Sequence, residues 1–249
     1  MDLMKKIKEA YGKQILVGGH RGHKCEVREN TISNFETLPF GKIPYIEIDV
    51  QLTKDRKAVI YHDHDLSMKT QLKGMIRDFS LKELKSEFEI CTIYEAVEWC
   101  RDHNIGIAFE LKLQPYSMWN DRAKVTEEVV KAIQMYEFYN DCFVFGKDYD
   151  MLSEIKKMDE KINIGLIVPF VPKDPVALMK DMKAFLYLNF VDQMSKELVE
   201  CLHEAGYVVD GSVVNTEADL KKAIELGVDL VESDAPEFIN KLLEEQYAG

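Results

Sequence analysis

His20-Arg21, Glu47-x-Asp49, His62-Asp63-His64 and Glu110-x-Lys112 are the short runs of this chain whose side chains can do chemistry together. Glu47, Asp49 and Glu110, once gathered, form a three-carboxylate cluster whose mutual repulsion raises its pKa values until a cation neutralises it. Oxygen donors suit one divalent cation of the hard class, Mg2+ or Ca2+ with Mn2+ admissible, and disfavour Zn2+ or Cu2+, which prefer nitrogen or sulfur. Arg21 and Lys112 beside such an ion call for an anion. A phosphoryl group fits, because the planar fork of arginine binds two oxygens at once. Histidine titrates near neutrality, so of His20 and His62 one can serve as base and the other as acid. These residue types together spell phosphoryl transfer to water or an alcohol.

Strands must carry these side chains. Ile15-Leu16-Val17 is an apolar run that ends in Gly18-Gly19 and hands over to His20. Tyr45 to Leu52 alternates, with Ile46, Ile48, Val50 and Leu52 on one face and Glu47, Asp49 and Gln51 on the other, since successive strand side chains point to opposite faces. Residues 105 to 112 repeat the oddity with Glu110 and Lys112. Two neighbouring strands therefore aim charged pairs in one direction. Lys57 to Tyr61 is a short strand reached through the turn at Asp55-Arg56, so residues 45 to 61 read as a hairpin-like excursion that ends at His62.

The remainder alternates regularly. Spacing predicts helices at 31–38, 121–136, 149–158, about 174–182, 195–205, 216–226 and about 236–245. Strands are predicted at 142–145, 162–168, 184–188, 207–209 and 228–231. Leu3, Ile7 and Ala10 predict a short opening helix against the bottom or side of the domain, and Ser80 and Thr92 are placed to cap two more. Counting the strands near Leu16, Ile46 and Ile107, eight βα units predict an α/β chain of the (β/α)8 barrel type, with a short N-terminal helix and a small excursion after the second strand, as a single domain over residues 1–249. Chemistry in such a barrel sits at the C-terminal ends of the strands. That gives His20, Glu47, Asp49, His62, Glu110 and Lys112 one rim in common.

Bulk properties narrow the partners. A formal net charge of -12 disfavours nucleic acid and an anionic membrane surface, both of which need clustered Lys and Arg. No run approaches the roughly 20 apolar residues of a membrane span, and the charged opening residues lack a secretory core. Five scattered cysteines without CxxC spacing fit reduced thiols in the cytoplasm. A small anionic substrate, with neither nucleic acid nor stable membrane insertion, is the expected partner.

The ordered motifs resemble the glycerophosphodiester phosphodiesterases, a family of metal-dependent TIM-barrel hydrolases. The resemblance rests on His20-Arg21-Gly22 and Glu29-Asn30-Thr31, on Glu47-Ile48-Asp49, on Ile60-Tyr61-His62-Asp63 with Leu66 and Thr70, and on Glu110-Leu111-Lys112. It continues weakly through Ile90 to Val97, Val214-Asn215 and Gly227 to Pro236. It implies hydrolysis of a glycerophosphodiester to glycerol 3-phosphate and an alcohol through a cyclic phosphate. By matching position His20 is the general base, His62 the general acid, Glu47, Asp49 and Glu110 the metal ligands, and Arg21 and Lys112 the phosphoryl clamps. Glu29 is read as orienting the first loop.

The chain departs from the family pattern at Arg28, where a proline is common, and at Ser212, where a tryptophan usually precedes the Val-Asn pair by two residues. With no large capping insertion between Gln71 and Ile90, the mouth is open or lined by Tyr116, Met118 and Trp119. Two rivals follow from the same residues. His62-x-His64 with Asp234 sketches an amidohydrolase-like zinc site, though no histidine ends the strands near Val168 and Leu188, and Asp234 is read instead as a helix cap before Ala235-Pro236. The altered Ser212 sketches a barrel that binds a phosphorylated ligand without catalysis.

Overall fold

A computed structural model describes residues 2–24, 26–39, 41–112 and 116–247, with the side chains of residues 116–118 and 247 outside the description. Leu16–Gly19 (β1), Tyr45–Leu52 (β2), Gly106–Leu111 (β4), Cys142–Gly146 (β5), Ile164–Ile167 (β6), Leu186–Asn189 (β7), Val208–Gly211 (β8) and Leu230–Ser233 (β9) all pair in parallel. The order β1-β9-β8-β7-β6-β5-β4-β2 closes because β1 also pairs with β2. This is the expected (β/α)8 barrel. Ala58–Ile60 (β3) runs antiparallel on the outer end of β2, in register from Val50↔Ile60 to Leu52↔Ala58.

Helices pack around the barrel. They are Ile32–Phe35 (α2), Ile93–His103 (α4), Arg122–Met135 (α5), Tyr149–Met158 (α6), Pro175–Asp181 (α7), Lys196–Glu204 (α8), Glu217–Leu226 (α9) and Pro236–Tyr247 (α10). Leu81–Glu87 (α3) belongs to the excursion, where Val59, Tyr61, Leu66, Ile76, Leu84 and Ile90 make a small core of their own. Ser80 and Thr92 cap α3 and α4 with reciprocal capping boxes, satisfying backbone N–H groups that a helix start otherwise leaves open.

The alternation in β2 has a structural cause. Ile46, Ile48, Val50 and Leu52 pack outward with the helices, while Tyr45 packs among the side chains that fill the barrel. Every residue of β2 is buried, so the acids of its second face are enclosed by the barrel rather than solvated as on an edge strand. The N-terminal helix, Leu3–Ala10 (α1), plugs the bottom, where Leu3 and Ile7 join Tyr45, Ala108, Phe143, Phe145, Leu186 and Leu230.

Several boundaries differ from the spacing. α2 stops at Phe35 rather than 38, because the Thr37 hydroxyl donates to the Asn34 carbonyl at 2.6 Å and Pro39 disfavours helical backbone at Leu38. β8 reaches Gly211 rather than 209 and β9 reaches Ser233 rather than 231. Both therefore bring acids, Asp210 and Glu232, into strand positions that the pattern assigned to loops. No helix of the described residues is long and apolar enough to cross a membrane.

Candidate active site

The rim above the plug begins with β1. Gly18 faces inward, where a Cβ would meet the Tyr45 ring at 2.3 Å. Beyond it the chain turns with Arg21 and Gly22 at φ of 56° and 89°. Left-handed backbone at a non-glycine residue is strained and needs a compensating contact. Here the Arg21 N–H donates to Glu47 Oε2 at 2.9 Å.

From this turn the Arg21 guanidinium reaches Glu29 at 3.1 Å and Asp49 at 3.4 Å. Lys112 meets Asp49 at 3.1 Å and Glu110 at 3.3 Å. Glu47, Asp49 and Glu110 each offer an oxygen, and the three oxygens lie within 4.8 Å of one another. Burial, reinforced by Asp49, Glu232 and Glu110, pushes the Glu47 carboxyl well above its ordinary range. Burial acts in the same direction on Asp49, but Lys112 and Arg21 outweigh it and hold that carboxylate below its usual value. Glu110 is raised by burial against the pull of Lys112.

Both histidines are held by a carboxylate. His20 Nδ1 lies 2.6 Å from Asp234 Oδ1 and His62 Nδ1 lies 2.7 Å from Asp63 Oδ1. A carboxylate on Nδ1 fixes the ring and directs proton exchange to Nε2. Burial draws the His62 pKa below the ordinary histidine value. Lys69 bridges Asp63 at 3.3 Å to Glu29 at 2.6 Å, so a chain of ion pairs ties the support of His62 to that of Arg21. His20, Arg21, His62, Glu110, Lys112, Ser212 and Glu232 share the walls of one cavity of about 230 Å³.

The chain matches the model of the glycerophosphoryl diester phosphodiesterase family over residues 20–238. The chain belongs to this family. A glycerophosphodiester phosphodiesterase of Caldanaerobacter subterraneus subsp. tengcongensis is 30% identical, the match covering 92% of this chain and 97% of the relative. A phosphodiesterase of Oleispira antarctica, solved with the product sn-glycerol-3-phosphate, superimposes with a TM-score of 0.84 at 25% identity over 94% of this chain and 99% of that one. A glycerophosphoryl diester phosphodiesterase structure from Silicibacter pomeroyi reaches a TM-score of 0.85 at 18% identity over 93% and 94% of the two chains, a likeness of fold. The protein is an enzyme of the glycerophosphodiester phosphodiesterase class.

Against the family pattern several positions are now placed. Asp234 is not a helix cap: its carboxylate binds His20 and accepts from Asn215 Nδ2 at 3.0 Å, while the Ala235 N–H donates to Ser233 Oγ at 2.9 Å. This partner of His20 lies 214 residues along the chain, beyond the reach of any local motif. Asn30, the middle residue of the Glu29-Asn30-Thr31 motif, donates from Nδ2 to Asp49 Oδ2 at 2.8 Å, and Thr31 caps α2. Asp210 and Glu232 went unread in the sequence, and Asp63 was named there without a role. Asp63 adjoins His62 in sequence, which was the available signal. His64 pairs with Gln51 Oε1 at 3.0 Å, and the metal-capable cluster among the described residues consists of carboxylates, which leaves the zinc rival unsupported. Trp119 lies under the Arg122 guanidinium at 3.9 Å beside a separate cavity on α5 and α6. The side chains of Tyr116 and Met118 fall outside the described residues, as does Cys25.

Proposed function

We propose that this phosphodiesterase is divalent-metal dependent and works by His20/His62 acid-base catalysis through a cyclic phosphate. The observation that carries this reading is that two histidines, each fixed through Nδ1 by its own carboxylate, open onto one cavity with Arg21 and Lys112. The donor set fits a hard cation. Oxygens bound to one ion at about 2.0 to 2.6 Å lie within roughly 5 Å of each other, the three carboxylates meet that limit, and the buried Glu47 Oε1 has no hydrogen-bond partner. Glu47, Asp49 and Glu110 would hold Mg2+ or Ca2+, which supplies charge stabilisation at a phosphoryl oxygen when bound.

Arg21 and Lys112 orient the diester by its non-bridging oxygens. His20 Nε2 takes the proton of the glycerol hydroxyl next to the phosphate as that oxygen forms a bond to phosphorus. The bond from phosphorus to the leaving oxygen breaks, and His62 donates its Nε2 proton to the departing alcohol. Water then opens the cyclic phosphate with the roles of the histidines reversed, giving glycerol 3-phosphate.

Leaving-group dependence tests the roles. His62→Ala is expected to lower turnover of glycerophosphocholine by about 10² to 10⁴ and to spare the first release of p-nitrophenolate, read in a single turnover, from a glycerol p-nitrophenyl diester, whose phenolate departs without a proton. His20→Ala is expected to impair both. Equal losses for both substrates in His62→Ala would contradict the assignment of the acid.

A further inference from the structure

Two acids inside the barrel take no part in that mechanism. Asp210 on β8 and Glu232 on β9 are 0% and 4% exposed, yet Asp210 Oδ2 and Glu232 Oε1 lack hydrogen-bond partners. Leaving such oxygens unsatisfied in a buried setting is costly. The inward positions beneath them, Val208 and Leu230, are apolar and packed, so the acids do not serve the core. Ser212 joins the pair: its hydroxyl donates to Asp210, and it accepts from the Glu232 N–H at 2.7 Å.

Glu232 and Ser212 lie on the cavity wall, and Glu232 is in register with Gly18, which has no side chain to cover it. Ser212 stands where the resemblance places the family's usual tryptophan. With serine there, the Glu232 carboxylate is part of the cavity surface. Strand order says which half of the substrate it meets. β9 adjoins β1, which delivers His20, whereas His62 follows β3 on the far side of β2. The remaining wall, Phe145, Lys147, Ile167, Leu188 and Phe190 on or just after β5 to β7 with Val213 after β8, has no side-chain acceptor.

We propose that Glu232 is a specificity-determining residue that accepts a hydrogen bond from the glycerol hydroxyl not consumed in the reaction, with Ser212 and Asp210 holding it in place. This rests on the reading that His20 activates the glycerol. An unpartnered carboxyl oxygen suits a hydroxyl donor, and a site built to bind a hydroxyl discriminates against an analogue that lacks it.

Two chromogenic substrates test it. One is the p-nitrophenyl phosphodiester of glycerol; the other is that of propane-1,2-diol, which keeps the attacking hydroxyl and lacks the terminal one. The unaltered enzyme is expected to favour the glycerol ester in kcat/KM by roughly 10- to 100-fold, the scale of leaving a buried acceptor without its donor. Glu232→Leu is expected to cut kcat/KM for the glycerol ester by that factor and to leave the diol ester within about twofold; Glu232→Gln, which keeps an acceptor, is expected to retain part of the preference. Equal losses on both esters, or an unaltered enzyme without preference, would overturn the proposal. The preference needs no variant, and Glu232→Gln keeps the test in force if Glu232→Leu fails to fold. Turnover of neither ester by the unaltered enzyme would instead bring down the mechanism on which the proposal rests.

Discussion

The lower and upper halves of the barrel interior are built from the same strands and differ in almost every physical respect. Below, Tyr45, Ala108, Phe143, Leu186 and Leu230 pack with Leu3 and Ile7 of the plug helix. Above, the same inward columns carry Glu47 and Asp49 over Tyr45, Glu110 over Ala108, and Glu232 over Leu230. The lower half gains from removing apolar surface from water. In the upper half several carboxylates are buried together, and for Glu47 and Glu232 burial and mutual repulsion push the pKa well up. A core position and a site position can therefore be two residues apart in sequence and opposite in their effect on stability.

The largest effect should come from the lower half. Phe143 is fully buried, and Phe143→Ala is expected to cost about 3 to 5 kcal/mol in chemical denaturation, with turnover per folded molecule unchanged. If this variant lost turnover while keeping its stability, the division between the halves would be wrong. Glu47→Gln should do the reverse. Removing an acid whose ionisation burial and its neighbours disfavour is expected to raise the melting temperature of the metal-free protein by about 2 to 4 °C, the shift that about 1 kcal/mol produces in a domain of this size, and to weaken Mg2+ binding in calorimetry. Unchanged affinity would mean that Glu47 is not a ligand.

Asp210 gives the most diagnostic change, one read in the pH dependence of stability. Its carboxyl is pushed by burial from 3.8 to about 7, so between those pH values the folded state keeps a proton that the unfolded chain releases. Stability contributed by the protonated form is complete below 3.8 and is lost as pH rises toward 7. Asp210→Asn is expected to flatten that part of the stability profile of the metal-free protein. An identical slope in the variant would place the linkage elsewhere.

Sequence pattern read the lower half and the β1, β2 and β4 part of the upper half well. Eight alternating units announced the barrel, and the eight-residue β2 was long enough for period-2 alternation to show Glu47 and Asp49 on one face. β8 and β9 have four residues each. Over so short a strand an acid near the C-terminal end reads as the beginning of a loop, which is why Asp210 and Glu232 went unseen. Asp234 stayed hidden for another reason: its bond to His20 joins the first strand to the last, and only closure of the barrel brings the two together.

In the proposed mechanism the upper half assembles a cation, a phosphodiester and two histidines for hydrolysis. Its most direct test is 31P NMR of glycerophosphocholine with enzyme stripped by EDTA, then with Mg2+ or Ca2+ restored, run beside His20→Ala. A glycerol 3-phosphate signal is expected only when a divalent cation is restored to the unaltered enzyme, with a rate lower by about 10² to 10⁴ in the variant. Undiminished product in excess EDTA, or from His20→Ala, would contradict it.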